Sequence, residues 1–340
     1  MFHISRPART RRRLLTLCTL AFGIAWTGAG LAATSAWKPE RAVEFIIPAS
    51  AGGGQDRTAR VIQKVLQEEG AVATPINIVN KGGGGGNIAY GYLQQFKADG
   101  HYLATGSPTL ITNYILGTSP VNYTDFTPVA VLYSEYVGFA VTADGPIKSG
   151  ADLIDRLKKN PEAVTFAFGT SRGNANHIAV AQVAKAAGVD VKRLKVVIFK
   201  SSIDAATALM GGHVDAVATP TSTYVPVLAS GKLRLVGIAS PTRQGGVFAK
   251  VPTWKEQGMD VNAPSYRMLV GPRDMTPAQL AFWDQALGRL VKSAEWKKEL
   301  EQNDWDESYL GSARSRAFLD EQAQGYRAAL IELGLVKPVP

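Results

Sequence analysis

The chain has 340 residues, 46% of them hydrophobic, with a formal charge of +9 and a single cysteine. Five of those charges (Arg6, Arg9, Arg11, Arg12, Arg13) lie in the first 36 residues, which hold no acid, so +9 less five leaves +4 for the rest. That excludes a basic nucleic-acid-binding stripe, and one cysteine excludes a disulfide framework or a cysteine-built metal site.

The arginine-rich start runs into an apolar stretch over residues 14–26 and then small residues up to Ala36, the layout of an export signal. The stretch is short for a spanning helix, and Gly30-Leu31-Ala32 is a small-x-small site, so cleavage is expected near Ala32, with 1–32 removed and the remainder periplasmic. Thr10-Arg11-Arg12-Arg13-Leu14-Leu15 fits either a twin-arginine or a general secretory start, and the route stays open. Cys18 follows Leu17, where a lipoprotein signal needs a small residue, so no lipid anchor is expected. No later segment is apolar for long enough to cross a membrane.

From there one local grammar repeats: a β-branched run, a polar or glycine loop, an amphipathic helix. It predicts α/β layering with largely parallel sheets. The first unit is a strand over residues 44–48, the loop Ala49-Ser50-Ala51-Gly52-Gly53-Gly54-Gln55, and a helix opened by Asp56 and ended at Gly70. Glycines there allow positive φ and close approach, and a helix N-terminus leaves backbone N–H groups unpaired, so the loop reads as an anion cradle. A glycine run, Lys81 to Asn87, precedes a helix bearing Tyr90 and Tyr92; its spacing fails both the dinucleotide and the P-loop patterns, and it reads as a close helix–loop contact or a cleft wall.

The second unit is a strand over 164–168, the loop Gly169-Thr170-Ser171-Arg172-Gly173-Asn174-Ala175-Asn176, and a helix from about His177 to Ala187. Gly169 to Gly173 satisfies GxSxG between strand and helix, the setting of a hydrolase nucleophile. Such an enzyme needs an acid and then a histidine later in the chain, and only His177 and His213 follow. A serine esterase using Ser171 is the alternative reading. The favoured one is a second cradle, with Ser171, Asn174 and Asn176 as neutral donors and Arg172 as a charged one. The third unit is a strand over 196–199, then Lys200-Ser201-Ser202, then a helix ending at Gly211-Gly212, with a strand over 214–218. The last third is helical, opening on Thr276-Pro277-Ala278-Gln279, a capping-box signature. Its aromatics (Phe282, Trp283, Trp296, Trp305) are expected to pack. Four histidines without HxH or HExxH spacing indicate no metal, and nothing indicates a cofactor.

Several segments together carry a family resemblance: Trp37-Lys38-Pro39-Glu40-Arg41, Ile46-Ile47-Pro48 with Gly52, Gly53 and Asp56, Asn80-Lys81 before the glycine run, and residues 169–177. Phe199-Lys200-Ser201, Leu209 to Asp215, and Val251-Pro252-Thr253-Trp254-Lys255-Glu256-Gln257-Gly258 continue it. The chain resembles the extracytoplasmic substrate-binding proteins of tripartite tricarboxylate transporters, the Bug family. The resemblance implies an α/β, two-domain flytrap of the periplasmic binding protein type II kind, with domain 1 at 37–136 plus 266–340 and domain 2 at 137–265. A small-molecule carboxylate would lie in the cleft, with membrane transporter subunits as partners, no catalysis, no nucleic acid and a monomeric state. Carried over by position, the ligand would meet Ala51, Gly52, Gly53, Gln55 and Asp56 on one side and Thr170, Ser171, Arg172, Asn174 and Asn176 on the other. Ser107, Thr109, Lys200 and Ser201 would line the space between. The sequence departs from commoner members at Gln55, Phe199 and Thr219-Pro220, which bears on ligand identity.

Overall fold

The computed structural model describes residues 36–337. The expected export signal, with Cys18 and the cleavage point, lies outside the described residues. The elements are β1 (Val43–Ile47), α1 (Gly54–Glu68), β2 (Ile76–Asn80), α2 (Asn87–Leu93), β3 (Tyr102–Gly106), α3 (Thr109–Ile115) and the long β4 (Thr127–Thr142). They continue with α4 (Gly150–Lys159), β5 (Thr165–Gly169), α5 (Ala175–Ala186), β6 (Lys195–Phe199), α6 (Ser202–Met210), β7 (Ala216–Pro220), α7 (Val225–Leu228) and β8 (Leu233–Ile238). The chain closes with β9 (Pro264–Gly271), α8 (Pro277–Leu290), α9 (Ala294–Asn303), β10 (Asp306–Leu310) and α10 (Ser312–Glu332).

The strands form a sheet of order β2-β1-β3-β9-β4-β7-β5-β6, with β8 and β10 also paired to β4. Parallel pairing is confined to the ends, β1 with β2 and β3, and β5 with β6 and β7. The middle is antiparallel, which corrects the expectation of largely parallel sheets. The physical reason is connectivity: β4 leaves the first half and β9 returns to it, and neighbours that run opposite ways pair antiparallel. Along β4, residues up to Tyr136 pair with β9, and from Val137 onward with β7.

Each half is layered, and period-2 alternation assigns side chains to its two faces. On β1, Val43, Phe45 and Ile47 join the cluster built with Trp283, Trp296 and Trp305, while Ile46 faces the cluster with Ala104, Ile111 and Met268. On the far part of β4, Phe139 and Val141 pack with Trp254 while Ala140 packs with Leu209 and Phe248. The three late tryptophans therefore pack, as expected, and each fully buried large side chain contributes about 1.5–3 kcal/mol. The capping box at Thr276 and Gln279 is present, with Pro277 opening α8. These two layered cores hold rigid the strand ends from which the loops of interest emerge.

Candidate functional site

Four strand-to-helix turns, after β1, β3, β5 and β6, converge on one cavity of about 40 Å³. Ala49, Gly53, Gly54 and Gln55 line it from the first turn, Ser107, Pro108 and Thr109 from the second, Thr170, Asn174, Ala175 and Asn176 from the third, Ser201 and Ser202 from the fourth. Pro220, Ser265 and Arg267 complete it. Ligand sites in open α/β sheets form at the carboxyl ends of strands. Gly54, Gln55, Ala175, Asn176 and Ser202 occupy the first turns of α1, α5 and α6, where backbone N–H groups lack intrahelical partners. Three helix dipoles thus place partial positive charge around one small polar space.

At the first turn, the helix opens at Gly54, two residues before the expected Asp56, and Gly53 is its N-cap with φ of −76°. Of the glycines in this loop, Gly52 alone takes positive φ, at +81°. Asp56 sits inside the first turn and turns back. Its carboxylate accepts from Gly52 N–H at 2.9 Å, from Arg60 Nε at 2.9 Å and from Asn80 Nδ2 at 2.9 Å. Burial alone would raise this carboxyl, but the hydrogen bond from Arg60, with those from Gly52 and Asn80, outweighs it and holds Asp56 below the usual carboxylate value. Asp56 therefore shapes the loop and does not line the cavity; Ala51 and Gly52 are exposed beside it. Gln55 is buried, its Oε1 accepting from Thr105 Oγ1 at 3.1 Å.

The third turn has a neutral scaffold. Asn174 caps α5, accepting from His177 N–H at 3.0 Å while its Nδ2 donates to Gly169 O at 2.7 Å and Thr170 Oγ1 at 3.0 Å. The helix thus starts two residues before the expected His177. Thr170 holds φ of +76°, a sterically costly conformation for a β-branched residue that is typically kept at functional positions. A Cβ on Gly169 would stand 2.3 Å from Ser202 N and 2.4 Å from Ser201 C, so this glycine lets the loops after β5 and β6 touch. That is what the first glycine of GxSxG does here. His177 Nδ1 accepts from Gly173 N–H at 2.9 Å, and its ring stacks on Phe168. Burial, helped by Arg172, lowers its pKa to about 4. Ser171 Oγ is buried without a partner among the described residues, so no serine–histidine pair forms.

Of the residues expected at the site, Gly53, Gln55, Ser107, Thr109, Thr170, Asn174, Asn176 and Ser201 come together around the cavity. Arg172 is exposed, and Lys200 lies in a neighbouring hollow of about 200 Å³ that Gly83, Gly84, Gly85 and Gly86 also line. The glycine run serves close approach: a Cβ on Gly85 would meet Asn113 Nδ2 at 2.5 Å and Ser171 Cβ at 3.2 Å. Sequence reasoning missed Arg267 and its partner Glu135. Arg267 Nη2 lies 2.6 Å from Glu135 Oε1, with both side chains almost wholly buried. Ser222 Oγ donates to Glu135 Oε2 at 2.5 Å. The available signal was a lone charge inside each of two apolar strands, β4 and β9. Among the described residues there is no group of three or more His, Cys, Asp or Glu able to hold a metal, and no helix long and apolar enough to cross a membrane.

Residues 58–335 match the family model of the tripartite tricarboxylate transporter family receptor. A UPF0065 protein from the gbd 5' region of Cupriavidus necator is 28% identical over 303 residues, spanning 88% of this chain and 89% of its own length. The periplasmic binding protein BugD superposes with a TM-score of 0.79 at 21% identity, over 88% of this chain and 100% of its own. MatC from Rhodopseudomonas palustris with bound malate superposes at 0.76 and 22% identity, over 86% and 99%.

Proposed function

This chain belongs to the tripartite tricarboxylate transporter receptor family, and from that premise we propose that it is an extracytoplasmic solute-binding protein that captures an organic carboxylate, dicarboxylic, tricarboxylic or aromatic, and delivers it to a membrane transporter. The observation that carries this reading is the meeting of three helix N-termini from both halves of the sheet around one polar cavity. A carboxylate leaving water must have its hydrogen bonds replaced, and bonds to a charged acceptor contribute about 1.5–3 kcal/mol each. Two facing sets of N–H groups supply enough for micromolar affinity. The malate held by MatC is a ligand of this chemical class.

We place the domain boundaries at 37–136 with 266–340, and at 137–265; the change of partner along β4 between Tyr136 and Val137 supports this. Only a closed form engages both cradles, so ligand shifts the balance toward closure and offers membrane subunits a different surface. The protein acts as a monomer without a cofactor, in the periplasm after cleavage near Ala32. Binding without catalysis agrees with His177 being committed to Gly173 rather than to Ser171. The test is a thermal-shift screen of the processed protein against organic acids. A true ligand at a hundredfold excess over its Kd adds about 2.7 kcal/mol of stability. Stabilisation by sugars or nucleotides and by no carboxylate would overturn the reading.

A further inference from the structure

Helix α10 packs on both halves of the molecule. Its first part, with Phe318, Leu319 and Ala323, joins the cluster of Ile111 and Tyr266, within the proposed domain 1. Its last turn reaches further: Leu330 and Leu333, 0% and 2% exposed, pack against Ile178 and Ala181 of α5, in the proposed domain 2. Leu335 and Val336 extend that contact, and the ion pair of Lys185 with Glu332 spans it at the surface. The contact lies behind the site, because α5 opens with Ala175 and Asn176, which line the cavity.

The seat of this last turn is loosely built. Hollows of about 120 Å³ and about 430 Å³ lie between α5 and α10, and Gln182 and Ala329 line both. Gln182 Oε1 and Tyr326 Oη are buried without partners among the described residues. Protein interiors are normally close-packed with their polar atoms paired, so a contact with hollows and two orphaned atoms is weakly held. Gly325 stands in the helix between the two packed parts. A Cβ there would meet nothing within 4 Å, so no close contact requires a glycine. Glycine inside a helix lowers stability and eases bending.

We propose that α10 beyond Gly325 is a strap that holds α5, and with it the cradle after β5, closed against domain 1, and that the cleft opens when the strap swings about Gly325. This rests on the two-domain reading above. In the form seen here the cleft is shut, since a Cβ on Gly53 would stand 3.5 Å from Ser201 Cβ across the boundary, and α10 is one continuous helix. Bending at Gly325 lifts Leu330 and Leu333 off α5 while Leu319 stays in domain 1. Ligand contacts at the first turn of α5 then tip the same balance toward closure.

The chain from residue 33 onward has no cysteine, so spin labels at Gln67→Cys and Lys158→Cys, exposed on α1 and α4, report the separation of the domains without ligand. Pulsed electron resonance on this processed protein should give a main short distance and a minor longer one. In Leu330→Ala/Leu333→Ala, which keeps good helix formers and removes the contact, the ratio of long to short should rise about tenfold or more. Gly325→Ala should lower that ratio about threefold while raising the melting temperature by about 2 °C. A lower melting temperature in the leucine variant with both populations unchanged would overturn the strap and leave the two-domain reading standing. A single distance common to all three proteins would overturn both.

Discussion

The loops after β1 and after β5 solve the same problem with different chemistry. Both leave a strand, turn through small residues and present first-turn N–H groups to one cavity. The loop after β1 is braced by ions, with Asp56 buried and bonded to Arg60, Asn80 and the backbone of Gly52. The loop after β5 is braced by neutral bonds from Asn174 and His177 and by a strained Thr170. A cradle needs a rigid rim and no competing charge in its mouth. Asp56 meets the first need by pointing back into its own loop; the second loop avoids the issue by using amides.

The sharpest way to break the second loop alone is Gly169→Ala. The added Cβ meets backbone atoms of Ser201 and Ser202, which cannot yield as a flexible side chain would. We expect a loss of about 3 kcal/mol, at the upper end for overpacking, with loss of ligand stabilisation, measured by urea unfolding with and without acid. Asp56→Asn should weaken the first loop by about 1.5 kcal/mol at pH 7, the low end for a charged hydrogen bond because Arg60 is half exposed. The folded pKa of Asp56 lies below its unfolded value of about 3.9, so this contribution is present above that value and is lost as pH falls through the folded pKa.

His177 behaves differently. Its folded pKa of about 4 lies below the unfolded 6.5, so the unfolded chain takes up the proton first and stability falls as pH drops from 6.5 to 4. Relative to a His177→Gln variant, the unaltered protein should lose ground across that window, in melting temperatures taken from pH 7 to 4. A flat difference would show that the two loops are not distinguished by pH. The smallest effect is expected for Ser171→Ala. Its hydroxyl is unpartnered and off the cavity, so stability and affinity should change by no more than about 0.5 kcal/mol.

Much of this arrangement was legible in the sequence, and the shortfalls have physical causes. The glycine loop before α1 and the capping box of α8 announce themselves through backbone requirements that few residue types satisfy. The sequence places the start of α5 two residues late, because Asn174 and Asn176 are equally good caps by residue type and only the fold selects Asn174. The family resemblance places Asp56 at the ligand; that its carboxylate turns back into its own loop depends on Asn80, a partner on another strand that residue spacing does not reveal. Arg267 and Glu135 stayed hidden because their meeting depends on the register of β4 against β9, which residue spacing does not reveal. Charge within an apolar strand is a signal, but it names no partner.

The central claim is that both loops hold one ligand carboxylate, and the most direct test is a crystal structure with the tightest acid from the screen. The account predicts carboxylate oxygens about 2.7–3.2 Å from backbone nitrogens of both Gly54 or Gln55 and Ala175 or Asn176. Contacts confined to one of the two loops, or an acid seated instead in the hollow lined by Gln182 and Ala329, would contradict it.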